Sequence, residues 1–568
     1  MPPGRNATAD AADTGCVVSA QTVCDLLNEA GELRAADRVA EAAERYGRIV
    51  TLDPRCSEAW RSLAILAFKR GDRSLARTLV GHALLIDSRD AAAYRMLATL
   101  DEVEGNLPRA YAGYARALDL DPTQRAATIA LARVSLALGH YEHARAVAER
   151  GAALGIVDAG LLRILGTARL HCGDDAAAES ALRDSLRLER DPDAFAQLAG
   201  ALLRLHRTAD ARAALAAAFE LDPEHAVATL HLGVANYACE DFPAARAAFA
   251  LAIARGCEDA HANLGRLELL LGNYARGFAH FGHDDRIRRA LPVWTALPMW
   301  DGTPAPNASL LVWHEQGVGD TIQLVRFLRA ARERTAKITL ACPRETLDIF
   351  GSVDGVDAVL DMRERPVFDD FDCWLPTIRL PVIFDATPQS IPTAPYLHAD
   401  PARRARYRPQ LEVGDRLRVG LVWSGNPRYP RDDIRSCGLT ALEPVAAVAG
   451  VAWYALQQGA ARDERPRNGM ELIPINTAVH DFADTAAIVS ELDLTITVDT
   501  SVAHLAGALG REAWVMLPKI CDWRWLLAGE RSAWYPTLRL FRQTAAGDWT
   551  PVVAALAAAL RARIAARA

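Results

Sequence analysis

The sequence predicts an all-helical repeat array followed by an α/β region of two parallel-sheet domains, and three observations predict it. Turn-forming residues recur at a fixed interval through the first half of the chain. After His283 the helical periodicity gives way to short apolar runs that alternate with helical stretches. The length, 568 residues, exceeds what one hydrophobic core organises, so several folding units are expected.

The repeat array rests on two interlocked series. Helix-ending pairs stand at Asp53-Pro54, Asp87-Ser88 and Asp121-Pro122, then more weakly near Gly155, at Asp191-Pro192 a few residues late, and at Asp222-Pro223. Between them fall Gly71, Gly105, Gly139 and Gly173, continued by poorer matches at Arg207, Asp241 and Gly272. A turn between two helices wants a residue that tolerates positive φ. The shared period of about 34 residues is that of a tetratricopeptide helix pair. Within the repeats, Trp60, Leu63, Ala64 and Ala67 share one helical face, as do Tyr111, Tyr114, Ala115 and Leu118, and stripes of this kind build core. A helix pair cannot bury its stripe alone. Roughly seven stacked units over 22–281 are therefore predicted, with a groove suited to a polypeptide.

Composition narrows the class. The net charge of −7 and a pI near 6.1 give no basic field of the kind that draws proteins onto nucleic acid. No stretch approaches the roughly 20 apolar residues of a membrane span, and residues 1–15 lack the charged head and apolar middle of a secretory signal. The ten cysteines are scattered without CxxC or zinc-type spacing, which points to reduced thiols, a cytoplasmic location and no structural metal.

In the second half, strands are expected at Leu310–Trp313, Ile338–Ala341, Val419–Trp423, Trp453–Leu456, Leu494–Val498 and Trp514–Leu517. A Pro- and Arg-rich stretch over 388–416 separates two clusters of such runs, so two doubly wound domains facing a cleft are predicted. The expected division is a disordered N-terminus at 1–21, repeats at 22–283, a linker at 284–308, and α/β domains at 309–412 and 413–568.

Ligands in such sheets lie beyond the carboxyl ends of the strands, which directs attention to the loops there. The first, His314 to Gln323, contains Gln316, Gly317, Gly319 and Asp320, and a carboxylate near a helix start serves either as a general base or as a helix cap. In Val498-Asp499-Thr500-Ser501-Val502-Ala503-His504, the amides and hydroxyls of Thr500 and Ser501 at a helix N-terminus suit a phosphate, and His504 follows on the same face. A third loop, from Trp423 through Gly425-Asn426-Pro427 to Arg435, offers Arg435 to a phosphate, with Arg428 and Arg431 as competitors. Only three lysines occur, Lys69, Lys337 and Lys519. Lys519, after a strand end near the Asp499 loop, is expected to contact phosphate. Asp370 and Asp372 have metal-ligand spacing but run into an apolar segment rather than ending a strand, which weighs against a metal.

The His314 to Gln323 motif, the Gly425-Asn426-Pro427 loop, Asp499-Thr500-Ser501 with His504, and Asp522-Trp523-Arg524-Trp525-Leu526-Leu527 followed by Trp534-Tyr535-Pro536 together resemble the tetratricopeptide-fused glycosyltransferases related to bacterial heptosyltransferases. The resemblance runs from Trp300 to Trp549. It implies an all-α tetratricopeptide superhelix followed by an α/β GT-B fold of two Rossmann-like domains, the acceptor on the first and a nucleotide-sugar on the second. It further implies Asp320 as catalytic base, Gln316, Gly317 and Gly319 as the acceptor-side loop, and Asn426, Asp499, Thr500, Ser501 and His504 on the donor. Arg435 is implied as a basic phosphate contact in a loop of variable length. No metal or cofactor is implied. The expected activity is transfer of a sugar to a hydroxyl of an acceptor protein held by the repeats, with flagellin the acceptor that the resemblance suggests. An inactive repeat scaffold and a saccharide-directed, heptosyltransferase-like enzyme stand as alternatives.

Overall fold

The computed structural model describes residues 20–282, 297–364, 367–427, 429, 432–467 and 470–567. The expected disorder of the N-terminus falls outside these residues except at its last positions, as do most of the expected linker and both Arg428 and Arg431. The chain forms two compact units, Met1–Pro223 and Glu224–Ala568.

The described part of the first unit consists of helices α1 (Ala20–Ala35) through α12 (Thr208–Leu221), and the second opens with α13 (Ala226–Ala238), α14 (Phe242–Ala254), α15 (Asp259–Leu270) and α16 (Tyr274–Gly282). These sixteen helices make eight tetratricopeptide-type pairs among the described residues, one more than expected, because the turn of the first pair falls at Asp37, which neither series marked. The left-handed turn inside each pair falls at Asp37, Gly71, Gly105, Gly139, Gly173, His206, Glu240 and Gly272. The weak matches at Arg207 and Asp241 thus give way to the residues just before them, which adopt positive φ without being glycine. The period held while the residue type did not. Asp191-Pro192 also has a different role: it starts a helix, with Asp191 as N-cap and Pro192 in the first turn.

A buried small residue sets the approach of the helices. Ala42, Ala76, Ala110, Ala144, Ala178, Ala211 and Ala245 recur at the repeat interval, all fully buried. In α16 the corresponding place is taken by Gly277, where a Cβ would lie 2.7 Å from Leu269 Cδ2. In the first unit, α5 (Ala91–Val103), α6 (Leu107–Leu120) and α7 (Arg125–Ala137) enclose a cavity of about 400 Å³ with Arg95, Glu102, Tyr114 and Arg133 in its wall.

Two all-parallel sheets follow in the second unit. The first contains β1 (Ala305–Trp313), β2 (Thr335–Cys342), β3 (Ala358–Asp361) and β4 (Cys373–Pro376), in the order β3-β2-β1-β4. The second contains β5 (Leu417–Val422), β6 (Val451–Ala455), β7 (Leu472–Ile473), β8 (Leu494–Val498), β9 (Ala513–Leu517) and β10 (Leu538–Arg542), in the order β10-β9-β8-β5-β6-β7. β8 and β9 are buried along their whole length, as strands covered on both faces must be. β1 starts inside the segment expected to be linker, and Trp300 there is already buried, its backbone N–H donating to Trp374 O. The stretch over 388–416 contains the helix Pro401–Tyr407, whose Arg403 and Arg404 pair with Asp481, Asp484 and Glu491 around the helix Phe482–Glu491. One apolar core joins both sheets to Leu269, Leu270, Tyr274, Phe278 and Phe281 of the last helix pair.

Strand order locates the clefts. In each sheet the chain works outward on one side of its first strand and then returns to the other side, so the order reverses between β1 and β4 and between β5 and β8. At such reversals adjacent connections leave in opposite directions and open a crevice at the carboxyl ends of the strands.

Candidate functional site

The loops at both reversals line one cavity of about 950 Å³, wholly within the second unit. Gln316, Gly317, Gly319 and Asp320 enter it after β1, Gly425, Asn426 and Arg435 after β5, and Asp499, Thr500, Ser501 and His504 after β8. Of the residues singled out in the sequence, Lys519 is not in its wall. Its ammonium pairs with Glu240 on the turn before α14, 2.5 Å away, so the strand-end position does not aim it at the cavity.

Asp320 does two things at once. It is the third residue of the helix Val318–Leu324, and its Oδ2 accepts the backbone N–H of Gly317 at 2.8 Å, tying down one of the amides that a helix start leaves over. Its Oδ1 is bound by the guanidinium of Arg524. Arg524 also donates from Nη1 to Asp522 Oδ1 at 2.6 Å and from Nε to Gln323 Oε1 at 2.5 Å. Burial works against the Arg524 charge, but Asp320, Asp522 and Asp499 outweigh it and hold the group above the usual guanidinium range. Arg524 therefore links the helix after β1 to the segment after β9.

Two further contacts fix the β1 loop. The Glu315 carboxylate accepts the backbone N–H groups of Thr377 and Ile378, each at 2.9 Å, and the Thr377 hydroxyl, which joins the ends of β1 and β4. His314 Nδ1 lies 2.6 Å from Thr321 Oγ1, and burial lowers the imidazole so that it stays neutral.

On the opposite wall, Thr500 is the N-cap residue of the helix Ser501–Ala508, with its hydroxyl 3.0 Å from that of Thr497. Asp499, buried at the end of β8, is pushed up to about 6 by burial and by the neighbouring charge of Asp522. His504 is buried, its Nδ1 3.0 Å from the Tyr535 hydroxyl and its ring against Trp525, and burial drives it well below its ordinary value. It is a neutral wall residue. Gly319 brings the two helix starts together: a Cβ there would be 2.8 Å from His504 Cδ2 and 3.4 Å from Ser501 Cα.

The β5 loop is held from below. Gln457 Oε1 accepts the N–H groups of Trp423 and Ser424, and Ser436 Oγ accepts that of Gly425. Arg435 Nε donates to Asp432 at 2.8 Å, and its guanidinium lies over the Tyr429 ring at 4.3 Å. A Cβ on Gly425 would come within 2.5 Å of Arg435 Nη2.

Among the cavity residues that carried no assignment in the sequence are Arg524, Tyr429 and Arg266 of α15. Arg524 lies in a motif already noted for its resemblance, whereas nothing local marks Arg266 off from other helix-surface arginines. Asp372, one of the two carboxylates considered for a metal, accepts the Ser309 N–H at 2.8 Å and serves the sheet. Among the described residues no group of three or more His, Cys, Asp or Glu side chains is arranged to hold a metal ion, and no helix is long and apolar enough to cross a membrane.

Fold and site together define a tetratricopeptide-type helical-repeat protein with a parallel-sheet α/β region whose strand ends enclose a polar cavity. No protein family model matches the chain. The chain is similar to the protein FlbA of Caulobacter vibrioides, 28% identical over 295 residues that take in 46% of this chain and 48% of FlbA, so it spans about half the length of that relative. Among solved structures it is similar to YrrB, described as a TPR protein with an unusual peptide-binding site (26% identity, 31% of this chain and 91% of YrrB, TM-score 0.27). It is also similar to PilF of Pseudomonas aeruginosa (21% identity, 34% of this chain and 89% of PilF, TM-score 0.30).

Proposed function

We propose that the chain is a metal-independent glycosyltransferase of the GT-B type, moving a sugar from a nucleotide-sugar to a hydroxyl of an acceptor protein bound by the repeats. The observation that carries this reading is the meeting of both strand-order reversals at one cavity. A carboxylate stands on one side of it, and a hydroxyl-bearing helix start with Arg435 on the other.

In the proposed reaction Asp320 accepts the proton of the acceptor hydroxyl as its oxygen attacks the anomeric carbon. The bond from that carbon to the phosphate oxygen breaks, and the charge left on the phosphate is met by the start of the helix Ser501–Ala508 and by Arg435. Asp320 Oδ2 accepts from Gly317 N–H and Oδ1 from Arg524, and a carboxylate has about four acceptor sites in all, so a lone pair remains for the proton. The wall of Arg95, Glu102, Tyr114 and Arg133 in the first unit, and the peptide-binding site named for YrrB, favour a polypeptide acceptor. Flagellin is the acceptor we put first, on the family resemblance.

A second reading, a nucleotide-sugar-binding scaffold without turnover, is favoured by the engagement of Asp320 with Arg524. Sugar transfer by Asp320→Asn, followed by mass spectrometry of the acceptor, separates the two. Loss of transfer with donor affinity intact supports the base. Turnover equal to that of the unaltered chain refutes it, and an unaltered chain that binds donor without transferring supports the scaffold.

A further inference from the structure

One guanidinium in the cavity belongs to neither sheet. Arg266 sits on α15, in the last repeat pair, yet lines the cavity along with Phe281 of α16. Its helix is firmly placed. Leu264, Leu267, Leu269 and Leu270 are buried, Phe278 and Phe281 pack on Trp523 with ring centroids 5.8 and 6.2 Å apart, and Trp534 Nε1 donates to the Tyr274 hydroxyl at 3.1 Å.

Two observations set Arg266 apart. The first is that other arginines nearby are engaged: Arg524 with Asp320, Asp522 and Gln323, Arg435 with Asp432, and Arg246 of the preceding pair with Glu268. Arg266 is exposed to the cavity and has no hydrogen-bond or ion-pair partner among the described residues. The second is its aim. Burial raises the Tyr429 phenol, the charges of Asp522 and Asp499 add to this, and Arg266 is the first of the cations that oppose it. Arg435 lies over the same ring, and Arg266, Tyr429, Arg435, Thr500 and Ser501 all line the one cavity. Two guanidiniums in the wall of one cavity suit a multiply charged oxyanion, and the planar fork of arginine matches phosphoryl oxygens.

We propose that Arg266 is a phosphate-binding residue of this cavity: with Arg435 it holds the phosphoryl oxygens of the nucleotide, so the last repeat supplies part of the donor site. The assignment rests on the nucleotide-sugar reading above.

The test is isothermal titration of the full chain with a panel of nucleosides and their mono- and diphosphates, for the unaltered chain, Arg266→Ala, Arg266→Lys, and Arg276→Ala as an exposed control outside the cavity wall. Expected is about a tenfold or greater loss of affinity for the phosphorylated ligand in Arg266→Ala, partial recovery in Arg266→Lys, no change in Arg276→Ala, and unchanged affinity for the bare nucleoside. If Arg266→Ala binds the nucleotide as the unaltered chain does, the Arg266 assignment fails while the cavity remains a nucleotide site. If nucleoside and nucleotide weaken equally, its role is structural and the assignment also fails. If the unaltered chain binds no member of the panel, the nucleotide reading falls and Arg266 falls with it.

Discussion

Asp499→Asn is expected to stabilise the second unit, and to do so only at neutral and alkaline pH. In the folded chain the Asp499 carboxyl is raised from 3.8 to about 6 by burial and by Asp522. Between these values the native state holds a proton that the unfolded chain releases. Raising the pH through this window therefore costs stability, and above it the penalty is complete. The corresponding free energy is about 3 kcal/mol as an upper bound. Because Arg435 and Arg524 favour the Asp499 charge and lose that attraction with it, a gain on the order of 1–3 kcal/mol is expected from removing the charge. At roughly 2 °C per kcal/mol for a unit of this size, the melting temperature at pH 8 rises by about 2–6 °C. The gain shrinks as the pH falls through about 6 and is mostly gone by about pH 4.5. Tryptophan fluorescence isolates the relevant transition, since of the twelve tryptophans only Trp60 precedes residue 224. An unchanged or lowered melting temperature at pH 8, or an equal gain at both pH values, would refute the claim that Asp499 is held ionised against a cost.

Two other substitutions probe the same walls. Arg524→Ala leaves Asp320 and Asp522 without their shared cation. Breaking a buried pair costs about 3–5 kcal/mol, and because these carboxylates keep 19% and 22% of their surface, water reaches them and a loss near the lower end is expected in the same fluorescence melt; a loss below about 1 kcal/mol would mark the pair as a solvated one. Gly319→Ala places a methyl 2.8 Å from His504 Cδ2, which forces two helix starts apart, so a loss of about 1–3 kcal/mol together with weaker nucleotide binding by calorimetry is expected. Unchanged values of both would show that the walls can separate freely.

The parts of the fold that were legible in the sequence are those where burial leaves no choice. β1, β2, β5, β6, β8 and β9 each run between two neighbours in their sheets and read as continuous apolar runs. The four strands the sequence did not reveal, β3, β4, β7 and β10, are the edges of the two sheets. β3, β7 and β10 are covered less completely and tolerate residues such as Arg539 and Arg542 in β10, so their pattern merges with the loops around them, whereas β4 is buried throughout but only four residues long. The repeat turns were legible where glycine marked them and slipped by one residue at His206 and Glu240, since an ordinary residue held at positive φ leaves no trace in its type. The buried alanines from Ala42 to Ala245 keep the same spacing as the turns but with one residue type throughout, because helix approach restricts side-chain size directly. The strand-end loops were legible for the same kind of reason, as a buried apolar strand runs straight into a helix start at His314–Gln323 and at Val498–His504. Lys519, by contrast, shows that a position after a strand does not determine where a long side chain points.

The boundary between units is where sequence and packing part most instructively. The repeat series passes Pro223 without interruption, from His206 to Glu240 to Gly272, and a reading by repeats sets the division near residue 283. The compact units divide at Pro223, and a helix belongs to the core in which its apolar face is buried. Leu269, Leu270, Tyr274, Phe278 and Phe281 share one core with both sheets. Burying five such side chains is worth roughly 1.5–3 kcal/mol each before the entropy of ordering is counted, which is large against the net stability of any domain. Removing α15 and α16 would therefore uncover the apolar flank of Trp523 and take Arg266 and Phe281 from the cavity wall. The last helix pair is repeat by sequence and part of the α/β core by packing, so a substitution on its inner face alters the cavity as directly as one on a strand-end loop.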